Sequence, residues 1–327
     1  MKEENLLGAF MPVKEISFNR IFLYSGLAMI LLISTLSTSG AVVKEFDSEW
    51  TQDIVVEGGR TVLVEELSAT WCTSCAEIDP YLQQVADSHG SRISIVTYHP
   101  TDGEDAFQPP ASELRIERLK ITHPDIGSTP SFIVEGGVAR IGPESWPDVQ
   151  KDILLKETEK QSYTKLAFSI SNNDQDYSAS ITKFNPTSTD FNTQITFLLV
   201  KHESKIPDGF INPGENYRDR VVVGYASCNL ENNSISNNAG FDSATTTNCA
   251  EDFGVTFSEQ GKFSLILIHE ALDSALADES SSLGTLGVVE FAYRDTIDQS
   301  QINILPAIII SFSALGIIWA IYEKKGR

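Results

Sequence analysis

Cysteine is scarce in this chain, with four among 327 residues. That excludes a small scaffold held together by many disulfides. Basic residues are also few, 24 Lys and Arg against 45 Asp and Glu for a net charge of −21. They form no cluster of the kind nucleic-acid binding requires, so no nucleic-acid partner is expected. Glycine (21) and proline (13) are too few for collagen-like or low-complexity sequence. No internal repeat is evident. What remains is a chain with 41% hydrophobic residues, which is globular in character, and at about 150 residues per domain its length allows two domains.

Charge is wholly missing from two segments, 21–43 and 302–322 (INILPAIIISFSALGIIWAIY). Helices of this length reach about 30 Å, the thickness of a hydrocarbon core. Pro306 sits near the start of the second, and Trp319 and Tyr322 near its end, where an interfacial aromatic belt would lie. The first segment fits two readings, an anchor helix or a cleavable signal peptide with small residues at Ser39 and Ala41. Short basic flanks (Lys2, Lys14 and Arg20; Lys324, Lys325 and Arg327) place both termini, 1–20 and 323–327, in the cytoplasm. The expectation is a protein of the cell membrane with residues 44–300 extracytoplasmic.

Between these segments the pattern changes once. Residues 45–160 alternate strands and helices: strands at 61–67 (TVLVEEL) and 92–98 (RISIVTY), a helix at 75–88, a Pro-rich loop at 100–110, a short helix at 111–119, a hairpin at 131–134 and 138–141, and a helix at 145–159. From residue 163 to 298 about seven short apolar strands are separated by Asn-, Ser-, Thr- and Gly-rich turns, with one doubtful helical stretch at 270–277. The fold class expected is an α/β domain followed by an all-β sandwich, immunoglobulin- or fibronectin-like, between N- and C-terminal transmembrane helices.

The chemistry-bearing motif is Trp71-Cys72-Thr73-Ser74-Cys75, at the junction of the first of these strands and the first helix. A helix start directs N–H groups and partial positive charge at Cys72, which stabilises a thiolate. Two intervening residues bring Cys75 onto the same first turn, within reach for a disulfide. Zinc sites also use this spacing, but usually with a second pair, and the other cysteines lie in the second domain.

The segment 61–80 resembles the thioredoxin superfamily. The Trp before the cysteines, Pro80 five residues after Cys75, Glu66 six residues before Cys72, and the stretch 127–134 (GSTPSFIV) around Pro130 all match. The resemblance spans residues 55–160 and implies a thioredoxin-like fold for them. It also implies roles: Cys72 as attacking thiolate, Cys75 as resolving thiol, Trp71 as an apolar platform, and a cis Pro130 presenting the Thr129 backbone to a substrate chain. Glu66, if inward, would exchange the proton of Cys75, and its neighbour Glu65 would face the opposite side. Thr73-Ser74 replaces the Gly-Pro of cytosolic thioredoxins, so the direction of electron flow stays open. The implied activity is thiol–disulfide exchange with protein thiols and disulfides as substrates, a membrane electron donor or acceptor as partner, and no soluble cofactor.

Cys228 and Cys249 flank a polar loop and are expected to close it as a structural disulfide. His99 and His123 are candidate metal ligands beside the thiols, but fit structural or surface residues better. Two alternatives stand beside the redox reading: a non-catalytic surface protein with a static disulfide, and a copper- or zinc-handling protein.

Overall fold

The computed structural model describes residues 41–187, 192–277 and 285–295. Its first part holds β1 (Ala41–Lys44), β2 (Ile54–Gly58), β3 (Val62–Leu67), α1 (Thr73–His89), β4 (Ile93–Tyr98), α2 (Pro110–Thr122), β5 (Ser131–Val134), β6 (Arg140–Ile141) and α3 (Trp146–Glu159). Then come β7 (Lys165–Asn173), β8 (Asp176–Asn185), β9 (Thr193–Lys201), β10 (Ser204–Lys205), β11 (Tyr217–Arg218), β12 (Val221–Asn229), β13 (Ser234–Ala239) and β14 (Ser243–Thr245). A single helical turn, α4 (Cys249–Asp252), precedes β15 (Gly254–Ser258) and β16 (Phe263–Ala271), and a second, α5 (Asp273–Leu276), precedes β17 (Gly287–Tyr293).

Local chemistry explains the main boundaries. α1 starts from a Cys72 cap and stops at Gly90 (φ 57°), whose N–H closes on the Ala86 carbonyl. α2 has Pro110 at its first position, where a missing N–H costs nothing. The β5–β6 turn places Glu135 (φ 54°) and Gly136 (φ 65°) in the left-handed region.

The two-domain expectation is overturned. One sheet runs β1-β17-β16-β9-β12-β4-β3-β5-β6, with β13 on the far end of β12, and crosses the expected boundary near residue 160. The crossing is made by β12, parallel to β4 with Val221 opposite Thr97. In the other direction, β2 leaves the first region to pair with β7 in the second sheet, ordered β14-β15-β8-β7-β2. The described residues therefore belong to one compact, mostly β unit with few helices, not to an α/β domain followed by a separate sandwich. Between residues 61 and 293 the strands and helices read from the sequence do form; what periodicity could not supply was which strand covers which edge.

The first expected transmembrane segment is corrected at its end. Residues 41–43 belong to β1, parallel to β17 with Val42 opposite Phe291. Residues 21–40 and 302–322, like both tails, lie outside the described residues. Among the described residues no helix is long and apolar enough to cross a membrane.

Three cores follow from this topology. Phe168, Tyr177, Phe197, Phe253, Phe257, Phe263 and Phe291 fill the space between the two sheets. On one side of β3, β4 and β5, Val62, Val64, Ile93, Ile95 and Phe132 meet Ile78 and Leu82 of α1 and Trp146, Val149 and Ile153 of α3. The opposite face of the long sheet is covered by α2, whose Ala111, Ile116 and Leu119 pack on Leu63, Val96 and Tyr98 and also belong with Val200, Val222 and Ile266. α2 therefore spans the seam between the two regions.

A buried ion network sits in that seam. The Arg115 guanidinium, 2% exposed, donates to Glu65 Oε1 at 2.7 Å and to both oxygens of Glu270 at 2.7 and 2.8 Å. Arg118 adds contacts to Glu270 and Asp273. Burial by itself would raise the Glu270 carboxyl, but Arg115 and Arg118 hold it down to about 2. Such a network matters chiefly because removing one member strands the others. Arg115→Met is expected to cost about 3–5 kcal/mol in urea denaturation. The Glu270 contribution is present above its ordinary value of 4.5 and lost as pH falls through about 2. The acid limb of stability should therefore flatten in that variant.

Candidate redox site at the start of the first helix

β3 ends at Leu67, and the chain turns through Ala69 and Thr70 into α1, which places Trp71–Cys75 beyond the end of the central strands. Cys72 is the N-cap of α1 in extended conformation, and its sulfur accepts the Cys75 N–H at 3.1 Å. That is the position where a helix's first N–H groups favour negative charge. Cys72 and Cys75 are joined as a disulfide with Cα atoms 5.3 Å apart. Cys72 is 4% exposed and Cys75 0%, so Cys72 is the outer sulfur. Ser74 Oγ lies 3.6 Å from it.

The loop 100–110 buttresses this turn. Asp102 Oδ2 accepts the Trp71 indole N–H at 2.9 Å. Asp105 is fully buried: its Oδ2 accepts the Thr70 N–H at 2.7 Å and meets His99 Nδ1 at 2.8 Å, while Oδ1 accepts the Phe107 N–H. Thr70 Oγ1 accepts the Ala106 N–H in return. Neither aspartate was read from the sequence as part of the site. An Asp-Gly-Glu-Asp stretch in a Pro-rich loop signals a turn, not what the turn supports. His99, weighed as a ligand, is committed to Asp105 on one ring nitrogen. Among the described residues no group of three or more His, Cys, Asp or Glu is arranged to hold a metal ion.

Thr129-Pro130 is a cis peptide. Because β5 runs antiparallel to β3 with Ser131 opposite Leu67, Thr129 and Pro130 come to the same end of the sheet as the cysteines. Both adjacent glutamates are buried, Glu65 at 2% and Glu66 at 1% exposure. The sequence placed one inward; the structure buries both, because β3 has α1 and α3 on one face and α2 on the other. Glu66 shares the α1 face with Val62 and Val64. Its Oε2 accepts from Thr97 Oγ1 at 3.1 Å, and its Oε1 has no partner. Burial, then the charge of Asp79, pushes its carboxyl well above the ordinary carboxylate range; the Thr97 bond and Arg218 act against this.

Asp79 and Arg218 are the members that sequence reasoning missed. Asp79 follows Cys75 by four residues on α1, a helical spacing that puts it on the same side, and this was a readable signal. Arg218 Nε lies 3.3 Å from Asp79 Oδ2. It arrives from β11, well over a hundred residues away in sequence, and no local pattern announces it. Nearby, Asp219 Oδ1 meets His202 Nδ1 at 2.6 Å and His202 Nε2 meets Ser264 Oγ at 2.9 Å. Ser264 is 1% exposed within β16, so this chain of bonds ties strands together and offers no open nucleophile.

Cys228 and Cys249, both fully buried between the two sheets, form the second disulfide across 21 residues of sequence. Cys249 opens α4, and its N–H is accepted by Asn233 Oδ1 at 3.1 Å.

No family model and no curated protein matches the chain. Among solved structures, HBP35 of Porphyromonas gingivalis is similar, with a TM-score of 0.51 and 13% identity over 73% of this chain and 78% of its own. Protein AGR_C_4864 from Agrobacterium tumefaciens aligns with a TM-score of 0.46 and 12% identity over 72% of this chain and 96% of its own. At 13% identity the likeness to HBP35 concerns the fold alone.

Two outcomes are expected from these contacts. Asp105→Asn weakens a buried acceptor shared by Thr70 and His99 and should cost about 1–3 kcal/mol in chemical denaturation. Replacing Cys228 and Cys249 together by Ser should cost about 3 kcal/mol through the freed loop, measured the same way with the Cys72–Cys75 pair kept oxidised.

Proposed function

We propose that the chain exchanges thiols and disulfides with protein substrates through Cys72 and Cys75. The observation that carries this reading is the position of Cys72: the outer sulfur of a two-residue-spaced pair, capping a helix and accepting the Cys75 N–H of its first turn. A thiolate there is favoured over one in water by the same donor and the helix's positive end. The resemblance of Trp71–Cys75 to the thioredoxin superfamily's motif supports the same roles.

In the reducing direction, the Cys72 thiolate attacks one sulfur of a substrate disulfide. A Cys72–substrate bond forms and the first substrate thiolate leaves, taking a proton from solvent. Cys75 then gives up its proton, Glu66 being the acceptor in this reading, and attacks Cys72. The substrate's second sulfur leaves, so the substrate gains two electrons and the pair becomes a disulfide. A separate redox partner must reload it. The reverse sequence oxidises a dithiol. Trp71, half-buried and held by Asp102, is the apolar surface against which a substrate chain packs. A second, fully buried disulfide favours an oxidising, extracytoplasmic setting.

One feature favours a static disulfide instead: Cys72 is only 4% exposed. Turbidimetric insulin reduction by the full chain, against Cys72→Ser, separates the two. Exchange chemistry predicts that the variant falls to the uncatalysed background while its circular dichroism is unchanged. Equal rates would remove the catalytic reading.

A further inference from the structure

β10 and β11 pair as a short antiparallel arm, Ser204 opposite Arg218 and Lys205 opposite Tyr217. The loop between them, 207–216 (PDGFINPGEN), lies outside the segment that resembles the thioredoxin superfamily, yet it is seated on the redox turn. A Cβ on Gly214 would fall 2.7 Å from the Ala76 Cβ, so only glycine lets the loop lie this close to α1, one residue from Cys75. The buried Arg218 fixes the loop's shape: Nη1 donates to the Glu215 carbonyl at 2.6 Å and Nη2 to Asn212 Oδ1 at 2.8 Å. Asn212 closes the loop on itself, accepting the Gly214 N–H at 3.1 Å and donating to the Glu215 carbonyl at 2.9 Å. Arg218 Nη2 also lies 3.5 Å from the Thr70 carbonyl. One guanidinium therefore touches both the loop and the residue before Trp71.

Directly before Asn212 the loop holds an apolar pair in solvent: Phe210 is 43% and Ile211 67% exposed. Single exposed apolar residues are ordinary on a protein surface. An adjacent pair on a pinned loop beside a reactive turn has the character of a contact surface. Charge around it is of one sign. The segments 68–81, 100–109 and 207–217, which form the turn, its buttress and the loop, contain no Lys or Arg. Of their acids, Asp79 is paired with Arg218 and Asp105 with His99. Glu77, Asp102, Glu104, Asp208 and Glu215 are exposed. Such a rim repels anionic partners, an anionic membrane surface included, and attracts cationic ones.

We propose that the 207–216 loop is a substrate-selecting arm of the Cys72–Cys75 centre, an assignment that rests on the exchange reading above. Its occupant is a protein segment that is apolar and basic around its own cysteine. Phe210 and Ile211 supply apolar contact, and Asp208 with Glu104 across the turn supplies the attraction for Lys or Arg. The selectivity belongs to the β-rich half, because the loop reaches the turn only through β11 and its buried Arg218.

The test uses the full chain, reduced at Cys72–Cys75, and thionitrobenzoate mixed disulfides of three carriers. These are a peptide with Leu and Lys around one cysteine, the same peptide with Glu for Lys, and 2-mercaptoethanol. Cys72 attacks the carrier sulfur, the carrier–thionitrobenzoate bond breaks, and thionitrobenzoate leaves with the electron pair and is read as colour. Each rate is divided by that of free dithiothreitol with the same probe. The parent protein should favour the Lys peptide over the Glu peptide about tenfold, a preference that fades at molar salt. Phe210→Ser with Ile211→Ser, both at exposed positions, should lower the ratio of Lys-peptide to 2-mercaptoethanol rates about tenfold. Asp208→Lys with Glu104→Lys should reverse the preference between the two peptides. A parent protein indifferent to peptide charge, or a Phe210/Ile211 variant that keeps the parent's ratio, would overturn the selecting arm and leave exchange intact. No release by the parent protein from the 2-mercaptoethanol probe would overturn exchange itself, and this assignment with it.

Discussion

The backbone of β4 has to be satisfied on both sides. Its inner neighbour is β3, and left open its outer side would present a row of unpaired N–H and C=O groups to solvent and to other chains. β12 covers that side: the Thr97 N–H donates to the Arg220 carbonyl at 2.8 Å, and Val221 lies opposite Thr97. The contact is short, because β12 bends away at the irregularity between Val222 and Gly224 and continues against β9 and β13. Yet it decides the architecture. It merges two groups of strands into one sheet and gives α2 a continuous apolar surface to cover. It also carries Tyr217 and Arg218, immediately upstream of β12, to the back of the redox turn.

Adjacent residues of one strand show how that arrangement distributes charge. Glu65 and Glu66 point to opposite faces of β3. Glu65 Oε1 is answered twice, by the Arg115 guanidinium at 2.7 Å and the Tyr98 hydroxyl at 2.8 Å, and its role is to join the halves through α2. Glu66 is answered by one hydroxyl, with its second oxygen left beside a cavity. The first carboxylate is tied into the structure; the second is pushed well above the ordinary carboxylate range by burial and the charge of Asp79. The chain keeps one of each, a single residue apart.

Much of this was legible. The strands at 61–67 and 92–98, the helices beginning near residues 73, 110 and 146, and the hairpin around Gly136 follow from periodicity, proline position and turn chemistry, all local signals. So does the cysteine pair at a strand-to-helix junction. Asp105, Asp79 and Arg218 were not read, for different reasons. Asp105 acts by folding a loop back onto Thr70, and Asp79 becomes significant only beside a buried Glu66. Arg218 belongs to a stretch whose contact with α1 depends on the pairing of β12 with β4.

The sequence by itself determined the main strands and helices between residues 61 and 293, and where two sulfurs come within bonding distance on one helical turn, because these depend on near neighbours along the chain. Tertiary structure alone decided that the halves share a sheet, that α2 spans their seam, and that an arginine from the distal half faces the carboxylates behind the cysteines. Those facts depend on which strand edge another strand covers, and hydrogen-bonding groups of the backbone are the same in every residue but proline. The apolar pattern marks the faces of a sheet; it does not name the neighbour at its edge.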